Sequence, residues 1–350
     1  MDLFCGAGGL TRGLEKAGIE VSLGVDLDPA CKFPYEANNT ASFLLKSVSD
    51  VSQSDLNTAF EGADIKLLAG CAPCQPFSTY QQGRLDHSDH RWNLLMEFAR
   101  LIEETDPELV TMENVPRLAK QGVFFNFIER LKNNGFHVTF MVVDCADYGV
   151  PQRRNRLVLL ASKLGPIKMI DPTTPEGKRK TVKQAISNLP KINAGDCHSD
   201  DPLHQSPNLS ELNLKRIRAS KPGGTWRDWD ESLIAECHKK PSGKTFPSVY
   251  GRMVWDEPAP TMTTQYYGFG NGRFGHPEQD RAISLREGAI LQSFPKSYKF
   301  APKGASISIS TIGRLIGNAV PVNLGLAIGK SVIEHLHELE EDNFLEEISA

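Results

Sequence analysis

Residues 2–10 read Asp2-Leu3-Phe4-Cys5-Gly6-Ala7-Gly8-Gly9-Leu10, a short apolar run that passes into a glycine-rich turn. Apolar residues at helical spacing follow over Leu10–Ala17. Glycines between a strand and a helix let the backbone approach a ligand at the helix N-terminus. The stretch therefore predicts the opening of an α/β domain, with a short first strand and a ligand at its carboxyl end.

The next predicted strand ends in an acidic residue. The apolar run Val21–Val25 is followed by Asp26, which places a carboxylate at the strand tip. A carboxylate there can accept hydrogen bonds from ribose hydroxyls, although the glycine spacing fits the dinucleotide pattern G-x-G-x-x-G poorly. The turn and the acidic tip together indicate an adenosine-containing cofactor, and they leave a dehydrogenase and a methyltransferase both open.

Short β-like runs alternate with helical stretches through the first half of the chain, the pattern of a parallel sheet covered by helices. The predicted strands after the turn are Val21–Val25, Ile65–Ala69, Leu109–Met112, Val138–Val143 and Leu157–Ala161. The predicted helices are Leu10–Ala17, Trp92–Glu103, Phe124–Asn133, Leu285–Leu291, Thr311–Leu315 and Val322–Leu339. Between about Gly165 and Pro258, residues rich in Pro, Gly, Lys and Asn predict a separate loop-rich domain.

The composition is that of an ordinary globular protein. The chain has 350 residues, of which 40% are hydrophobic and 23% charged. We see no charged-then-apolar leader and no apolar run of bilayer length, so we expect a soluble intracellular protein without a membrane partner. Seven cysteines without a disulfide-framework spacing fit a reducing compartment.

Positive charge is concentrated in one segment. The net charge of −4 argues against a nucleic-acid partner, yet Pro151–Tyr250 holds 18 Lys and Arg against 10 Asp and Glu. Its basic clusters and interleaved aromatics are Lys178-Arg179-Lys180, Lys215-Arg216-Ile217-Arg218, Lys239-Lys240, Trp226, Trp229 and Phe246. A solvated face could explain each cluster alone, but their shared segment favours a polyanion partner, with Arg216 and Arg218 as contacts.

A cysteine flanked by two prolines follows the apolar run that ends at Gly70. Pro73 and Pro76 fix the backbone on both sides of Cys74. A rigid turn of this kind is typical of a nucleophile aimed at one substrate atom.

Other interpretations of these cysteines are open at this point. The C-x-x-C spacing of Cys71 and Cys74 also fits a redox disulfide or half of a zinc site. Zinc would need another close pair of ligands, and Cys197-His198 and Cys237-His238 offer only a weak one. We therefore expect no metal, and a packing role for Cys71.

Six motifs, read in order, span nearly the whole chain. They are Asp2–Gly9, Pro73-Cys74-Gln75, Glu113-Asn114-Val115, Gln152-Arg153-Arg154-Asn155-Arg156, Arg286-Glu287 with Gln292-Ser293-Phe294-Pro295, and Gly317-Asn318-Ala319-Val320-Pro321. Each motif is common alone, but their joint order is specific, and the chain resembles the DNA cytosine-5 methyltransferases. The resemblance implies an α/β fold, with a Rossmann-like S-adenosylmethionine-dependent methyltransferase domain and a smaller loop-rich target-recognition domain.

The resemblance also implies a division of the chain and a set of partners. Together with the change in composition near Gly165 and Pro258, it leads us to expect the catalytic and cofactor-binding domain at 1–164, target recognition at 165–258, a return to the catalytic domain at 259–340 and a solvated acidic tail at 341–350. The implied cofactor is S-adenosyl-L-methionine and the implied substrate is double-stranded DNA. We expect a cytoplasmic, DNA-associated monomer that acts in a restriction-modification system with a companion endonuclease.

The resemblance also implies roles for individual residues, according to their positions in the matching motifs. The implied cofactor contacts are Phe4, Gly6, Gly8, Asp26, Leu27, Pro73 and Asn318. The implied substrate contacts are Gln75, Ser78 and Gln152. Asp50 is a further candidate for the adenine edge, although its register departs from the usual one of the family.

The reaction itself assigns the nucleophile and the acid. Carbon 5 of cytosine is a poor nucleophile, so addition of the Cys74 thiolate at carbon 6 would activate it. Glu113, directly after the strand Leu109–Met112, is the candidate acid for ring nitrogen N3. A base in a duplex must flip out to reach Cys74, and the polar connection 77–91 is expected to close over it.

Two arginines complete the expected catalytic set. Arg154 and Arg156 alternate, so on an extended strand they share a face with Gln152. Such a row could hold the base oxygen, a backbone phosphate and the carboxylate together. A salt-bridged surface strand is the alternative.

Three other functions are weighed against the leading one. A tRNA cytosine-5 methyltransferase shares almost every motif, but those enzymes typically carry a Cys-Phe-Thr tripeptide that this chain lacks. A catalytically silent DNA-binding homologue would not need Cys74, Glu113 and the arginine row. A nicotinamide dehydrogenase leaves Pro73-Cys74-Gln75 unexplained.

Overall fold

The protein, seen in a computed structural model that describes residues 1–73 and 93–349, divides into two compact units. The first, here called the sheet unit, takes its described residues from Met1–Tyr148, Asn155–Thr173 and the chain from Val320 onward. The second, here called the loop unit, comprises Gly149–Arg154 and Thr174–Ala319. The loop unit is longer than the 165–258 segment expected for target recognition, whose functional boundaries stay a prediction.

Among the described residues, a seven-stranded sheet forms the centre of the sheet unit. Its strands are β1 (Asp2–Leu3), β2 (Leu23–Asp26), β3 (Ser42–Leu45), β4 (Leu67–Gly70), β5 (Leu109–Asn114), β6 (His137–Asp144) and β7 (Asn155–Ser162). They lie in the order β3-β2-β1-β4-β5-β7-β6, and the first five are parallel. Together with the covering helices, this order confirms the predicted α/β class.

One edge of the sheet departs from the prediction of a parallel sheet. β7 is antiparallel to both of its neighbours, β5 and β6. The connection from Asp144 to Asn155 is too short to contain a crossover helix, so the chain can only return antiparallel. β3 was not predicted at all, because its apolar run, Phe43-Leu44-Leu45, is short and its residues are exposed or half-buried.

Helices occupy much of the remaining chain. They are α1 (Gly9–Lys16), α2 (Lys32–Glu36), α3 (Gln53–Ala59), α4 (Asn93–Thr105), α5 (Gly122–Asn133), α6 (Val182–Ile186), α7 (Glu211–Ala219), α8 (Glu236–Lys239), α9 (Leu285–Leu291), α10 (Ile309–Asn318) and α11 (Val322–Ser349). The stretch after residue 340, expected to be a solvated tail, continues α11 as far as Ser349. It contains no Gly or Pro that would end a helix.

An aromatic core packs α4 and α5 against the sheet. The rings of Phe98 in α4 and Phe127 in α5 are stacked with centroids 5.6 Å apart, and both side chains are fully buried. Leu68 of β4 and Val110 of β5 belong to the same buried cluster. The apolar residues at helical spacing in α4 and α5 therefore pack on the central strands, as their spacing predicts.

Helices α1 and α11 approach each other at backbone distance. A Cβ atom at Gly13 would lie 2.5 Å from the carbonyl carbon of Gly325 and from the Val322 carbonyl oxygen. Real Cβ atoms do not come this close to backbone, so only glycine is compatible with the contact. This crossing fixes the position of α1 relative to the C-terminal helix.

The loop unit is held together by buried arginines rather than by a large sheet. Arg281 is fully buried, and its guanidinium donates two hydrogen bonds of 2.7 Å to the Glu287 carboxylate. Ser284 caps α9 and donates its N–H to the same carboxylate at 2.6 Å. Burial opposes ionisation of Glu287, but the hydrogen bonds and charge of Arg281 outweigh it and lower its pKa to about 2.

Some residues of the basic segment are buried in the core of the loop unit. The sequence pattern had predicted that they contact a polyanion at the surface. Trp226 and Trp229 are buried, and only Phe246 of the three interleaved aromatics is exposed. Arg216 is also buried, and it donates to the Leu233 carbonyl at 2.9 Å. The expected contact of Arg216 with a polyanion is therefore wrong, because its guanidinium is already committed inside the unit.

Within the described residues, one stretch is long and apolar enough by composition to span a bilayer, contrary to expectation. It is Ile309–Asp342, and 72% of its apolar window is buried inside the protein. The stretch consists of two helices, because α10 ends at Asn318 and α11 begins only at Val322. Burial of this kind is typical of core helices in a water-soluble fold.

Replacing Glu287 with Gln should destabilise the protein by about 3–5 kcal/mol at neutral pH, since it leaves the buried Arg281 charge uncompensated. Because folding lowers the pKa of Glu287 from 4.5 to about 2, its contribution is complete above pH 4.5 and is lost as the pH falls towards 2. The stability difference between wild type and Glu287→Gln, measured by urea unfolding, should therefore shrink across that range.

Glu278→Gln, which removes an exposed partner of Lys191, is the control with little effect. A difference that does not change between pH 6 and pH 2.5 would contradict this account.

Candidate active site

Four parallel strands of the sheet unit, β1, β2, β4 and β5, end at the same edge. The strand order reverses between β1 and β4, which is where open α/β sheets bind ligands. The glycine turn follows β1, Asp26 ends β2, Cys71 follows β4 and Glu113 lies near the end of β5. The topology thus brings predicted cofactor residues and a predicted catalytic residue to one edge of one sheet.

The turn after β1 has the open backbone that its glycines predict. Phe4 and Gly6 both have positive φ, at 60° and 53°. A Cβ atom added at Gly6 would find no atom of residues 1–73 or 93–349 within 4 Å, so the described residues leave space beside this turn. Gly8, also at positive φ, caps the first turn of α1. A non-glycine residue in this backbone region, such as Phe4, is uncommon and occurs often at functional sites.

Asp26 connects the glycine turn to the end of β2. Its carboxylate accepts the Gly6 N–H through Oδ2 and the Asp28 N–H through Oδ1, each at 2.9 Å. Burial raises the pKa of Asp26, although these two N–H groups partly offset it. The next residue, Leu27, is 68% exposed, so its apolar side chain is available to a group bound at this edge.

A buried polar chain holds α1 behind the turn. Thr11 donates to Asp2 Oδ2 at 2.7 Å, and its hydroxyl lies 3.0 Å from that of Tyr35. All three side chains are fully buried, and burial raises the pKa of Asp2 to about 7. The sequence offered no signal for this chain, because its members are separated in sequence and only the fold brings them together.

The residues at this edge fit S-adenosylmethionine. The open space beside Gly6 allows close approach of a ligand, Asp26 offers a carboxylate near it, and Leu27 presents an apolar surface suited to a flat adenine ring. Asp50 is exposed just after β3, whose end is held beside Asp26 by a hydrogen bond from the Lys46 N–H. Its contact with adenine stays a prediction.

The segment after β4 begins with a thiol that is not suited to attack. The Cys71 N–H donates to the Leu3 carbonyl at 3.2 Å, which ties the segment to β1. Burial of the thiol and the neighbouring Glu113 carboxylate raise the pKa of Cys71 well above its usual range. A thiol that stays protonated is a poor nucleophile, in agreement with the packing role expected for Cys71.

Several predicted site residues cannot be placed with the others. Pro73 is exposed at the end of the described segment, whereas Cys74, Gln75, Ser78 and the connection 77–91 lie outside the described residues. Asn318 is the exposed last residue of α10, in the loop unit. The roles predicted for these residues stay predictions.

Glu113 and Arg156 form the central pair of the candidate site. Glu113 lies opposite Val158 in the antiparallel β5–β7 ladder, so Arg156, two residues earlier on β7, shares its face. Arg156 Nε lies 2.7 Å from Glu113 Oε1, and both side chains are about nine-tenths buried. This contact is an ion pair without hydrogen-bond geometry, and Oε1 has no hydrogen-bond donor within the described part of the chain. The two opposite charges therefore compensate each other at a place largely withdrawn from water.

Asn114 links this pair to the segment that leads to Cys74. Its Nδ2 donates to the Ala72 carbonyl at 3.0 Å, and its Oδ1 accepts the Val115 N–H at 2.9 Å. The sequence marked Asn114 only as part of a motif and did not assign it a role. Its buried amide fixes the end of β4 relative to the end of β5, and is therefore a positioning residue.

Gln152 and Arg154 do not continue a row along β7, which begins only at Asn155. Both are buried in the loop unit. Arg154 donates to the Met262 carbonyl at 2.8 Å and to the Gly317 carbonyl at 3.0 Å. Gln152 accepts the Met262 N–H at 2.8 Å, and its Oε1 lies 3.5 Å from Arg154 Nη1. These two side chains therefore contact each other and the backbone of their own unit, and a common row with Arg156 stays a prediction.

The alternative metal ligands are likewise not gathered into a site. Cys197 and Cys237 are exposed, whereas the His238 ring is stacked on Trp226 with centroids 4.6 Å apart. No group of three or more His, Cys, Asp or Glu side chains suited to a metal occurs within residues 1–73 and 93–349.

The sheet order and the polar edge define an open α/β enzyme fold with a ligand site at the carboxyl ends of its parallel strands. A family model described as C-5 cytosine-specific DNA methylase matches residues 1–334. Type II methylase M.HgiDII of Herpetosiphon aurantiacus is 54% identical over 97% of this chain and 96% of its own length. Type II methyltransferase M.Eco47II of Escherichia coli is 34% identical over 97% of this chain and 79% of its own.

Solved structures agree on the fold. A prophage-encoded DNA modification methyltransferase from E. coli superposes with a TM-score of 0.70 at 22% identity, covering 96% of this chain and 98% of that one. The Entamoeba histolytica methyltransferase EhMeth gives a TM-score of 0.66 at 15% identity, covering 96% and 97%. The chain belongs to the C-5 cytosine-specific DNA methylase family and is a DNA cytosine-5 methyltransferase. The resemblance expected from the six motifs is confirmed, and the dehydrogenase alternative is excluded.

Replacing Glu113 with Gln should lower the methylation rate constant about 10²–10⁴-fold while binding of S-adenosylmethionine changes little, because the change removes an acid near the reacting base. Single-turnover methylation and calorimetric cofactor titration measure the two effects separately. Glu103→Gln is the matched control, since it removes the partner of Arg130 in an exposed ion pair of the same unit. Equal rates for wild type and Glu113→Gln would remove Glu113 from the reaction.

Proposed function

We propose that this enzyme transfers a methyl group from S-adenosyl-L-methionine to carbon 5 of cytosine in a specific short sequence of duplex DNA. The observation that carries the proposal is the buried Glu113–Arg156 pair at the sheet edge where β4 leads towards Cys74. The 54% identity to a Type II methylase over nearly the whole chain supports the same substrate class.

Glu113 and Arg156 would handle the pyrimidine ring. Addition of a thiolate at carbon 6 moves negative charge onto the ring, and a carboxyl group that hydrogen-bonds N3 limits that charge. Arg156 holds Glu113 from one side and can donate its remaining N–H groups to the base oxygen. Both groups are largely withdrawn from water, which strengthens such interactions.

Cys74 is the proposed nucleophile. Its thiolate would form a bond to carbon 6, and carbon 5 would then accept the methyl group. Loss of the carbon 5 proton and cleavage of the carbon–sulfur bond would restore the ring and the free thiolate. Asn114 would position the segment that precedes Cys74 through its hydrogen bond to the Ala72 carbonyl. A target inside a duplex has to flip out of the stack to be attacked.

Gly6, Asp26 and Leu27 would hold the cofactor, which supplies the methyl group on a sulfonium centre. Phe4, Gly8, Pro73 and Asn318 are proposed as further cofactor contacts, and Gln75, Ser78 and Gln152 as substrate contacts. Arg154 is proposed to act on the reaction by holding the backbone near Gly317.

The enzyme's setting follows from its substrate. We infer a cytoplasmic protein that works on chromosomal DNA within a restriction-modification system, beside an endonuclease that its methylation would block. Type II relatives at 54% and 34% identity support this setting. Target recognition is assigned to residues 165–258, and the catalytic domain to 1–164 and 259–340.

Purified protein should transfer labelled methyl groups from S-adenosylmethionine to duplex DNA, and Cys74→Ser should abolish the transfer because a hydroxyl is far less nucleophilic than a thiolate. Cys71→Ser is the matched control and should retain activity, since the Cys71 thiol stays protonated. Bisulfite sequencing of DNA from a host that expresses the protein identifies the target. Labelling of tRNA with unlabelled DNA would favour the tRNA alternative, and labelling of neither would favour a silent homologue.

The exposed basic residues Lys215 and Arg218 remain candidates for DNA phosphate contacts. The double change Lys215→Gln and Arg218→Gln should weaken DNA binding, and the slope of log affinity against log salt should fall by about 0.9 for each lost phosphate contact. Fluorescence anisotropy between 50 and 200 mM salt, as a rough working range, measures the slope. Lys132→Gln on α5 is the control, and an unchanged slope would assign both residues to a solvated face.

A further inference from the structure

Arginines of the loop unit are mostly held by acceptors inside the protein. Their partners include main-chain carbonyls, carboxylates and aromatic rings, as seen for Arg154, Arg216, Arg227, Arg252, Arg281 and Arg286. These residues are needed to hold a unit with little regular secondary structure. Their guanidinium groups are therefore largely committed to the protein.

Arg273 departs from this pattern. It is partly buried, and its Nε is covered by protein without a hydrogen-bond acceptor in the described part of the chain. It also forms no ion pair with a described carboxylate. Its terminal amino groups, Nη1 and Nη2, likewise have no acceptor among the described residues, so they can donate to a group outside the protein.

The Arg273 side chain is held by packing against backbone. A Cβ atom at Gly251 would lie 3.0 Å from Arg273 Cγ and 3.3 Å from Nε, so the arginine stem lies directly over this glycine. Tyr250, the preceding residue, has φ of 60°, a conformation that side-chain-bearing residues adopt rarely. The backbone at Tyr250 and Gly251 therefore leaves room for the arginine stem, which a side chain at position 251 would displace.

Two short main-chain contacts fix the loop that carries Arg273. The Gly275 N–H donates to the Gly251 carbonyl and the Met253 N–H donates to the Gly275 carbonyl, both at 2.9 Å. Phe269 and Phe274 are buried on either side of the loop and anchor it to the unit. Arg273 is therefore carried by a loop that is hydrogen-bonded and packed on both sides of it.

A guanidinium with a packed stem and terminal amino groups that lack a protein partner is suited to a planar acceptor pair. In duplex DNA, guanine presents O6 and N7 in the major groove, and bidentate contact by arginine is the commonest specific contact to a base. Phosphate needs no such rigidity, since a flexible lysine serves as well. The covered stem and the anchored loop therefore favour a base edge over a phosphate.

The geometry points to Arg273 as a specificity-determining residue that contacts the major-groove edge of a guanine in the target sequence. This inference rests on the proposed function, because it requires that the substrate is duplex DNA. It also places sequence recognition outside the 165–258 segment, in the part of the loop unit that extends to Ala319.

The test combines a protein change with a base change. A duplex that contains cytosine always contains guanine, so each guanine of the target found by bisulfite sequencing can be replaced in turn by 7-deazaguanine, which lacks the N7 acceptor. For wild type, one such replacement should lower the single-turnover methylation rate roughly 5- to 150-fold. Arg273→Gln should be slower on the natural target and insensitive to the replacement at that same guanine, so the two effects should not multiply.

Controls separate this outcome from the alternatives. Arg273→Lys keeps the charge but not the planar fork, and should not restore sensitivity. Arg130→Gln, on α5 of the sheet unit, should behave as wild type. Equal losses on every duplex, recovered by Arg273→Lys, would indicate a phosphate contact and overturn the inference. A lowered melting temperature with sensitivity to 7-deazaguanine retained would indicate a merely structural role and overturn it as well.

Failure of the proposed function would appear differently. If wild type transfers no methyl group to any duplex, the substrate class is wrong and no comparison among guanines arises. If wild type methylates DNA but none of its guanines couples to Arg273, only the assignment of Arg273 is wrong.

Discussion

The antiparallel return of β7 beside β5 is the constraint on which the candidate site depends. In a parallel sheet, the carboxyl ends of all strands lie at one edge. The first residues of those strands lie at the opposite edge and cannot contribute to a site there. Because β7 runs in the opposite sense, its first residues lie at the same edge, and Arg156 reaches Glu113. A parallel strand in this place would have put Arg156 at the far side of the sheet.

Much of the sheet unit could be predicted because its decisive features are local. The glycine turn, Asp26 after β2 and Glu113 near the end of β5 each follow an apolar run that the sequence displays directly. The order of such motifs along the chain is equally visible. These features needed no knowledge of which elements become neighbours.

The errors concern neighbours in space. Nothing in the sequence distinguishes Arg216, which is buried against the Leu233 carbonyl, from Arg218, which is exposed two residues later. Gln152 and Arg154 likewise read as part of a strand, although each satisfies main-chain groups more than a hundred residues away. Residues with long polar side chains have many available partners, and only tertiary structure selects one.

Helix α11 also has a consequence for how the protein is made. Its glycine contact with α1 joins parts of the chain about three hundred residues apart, so the sheet unit cannot be completed until the ribosome has released the residues after Val322. Nearly all of the loop unit is synthesised earlier, as the continuous stretch Thr174–Ala319. During translation, the α1 surface around Gly13 remains uncovered for most of the synthesis time. The last part of the chain to be synthesised is therefore also the part that completes the packing of α1, the helix that follows the glycine turn.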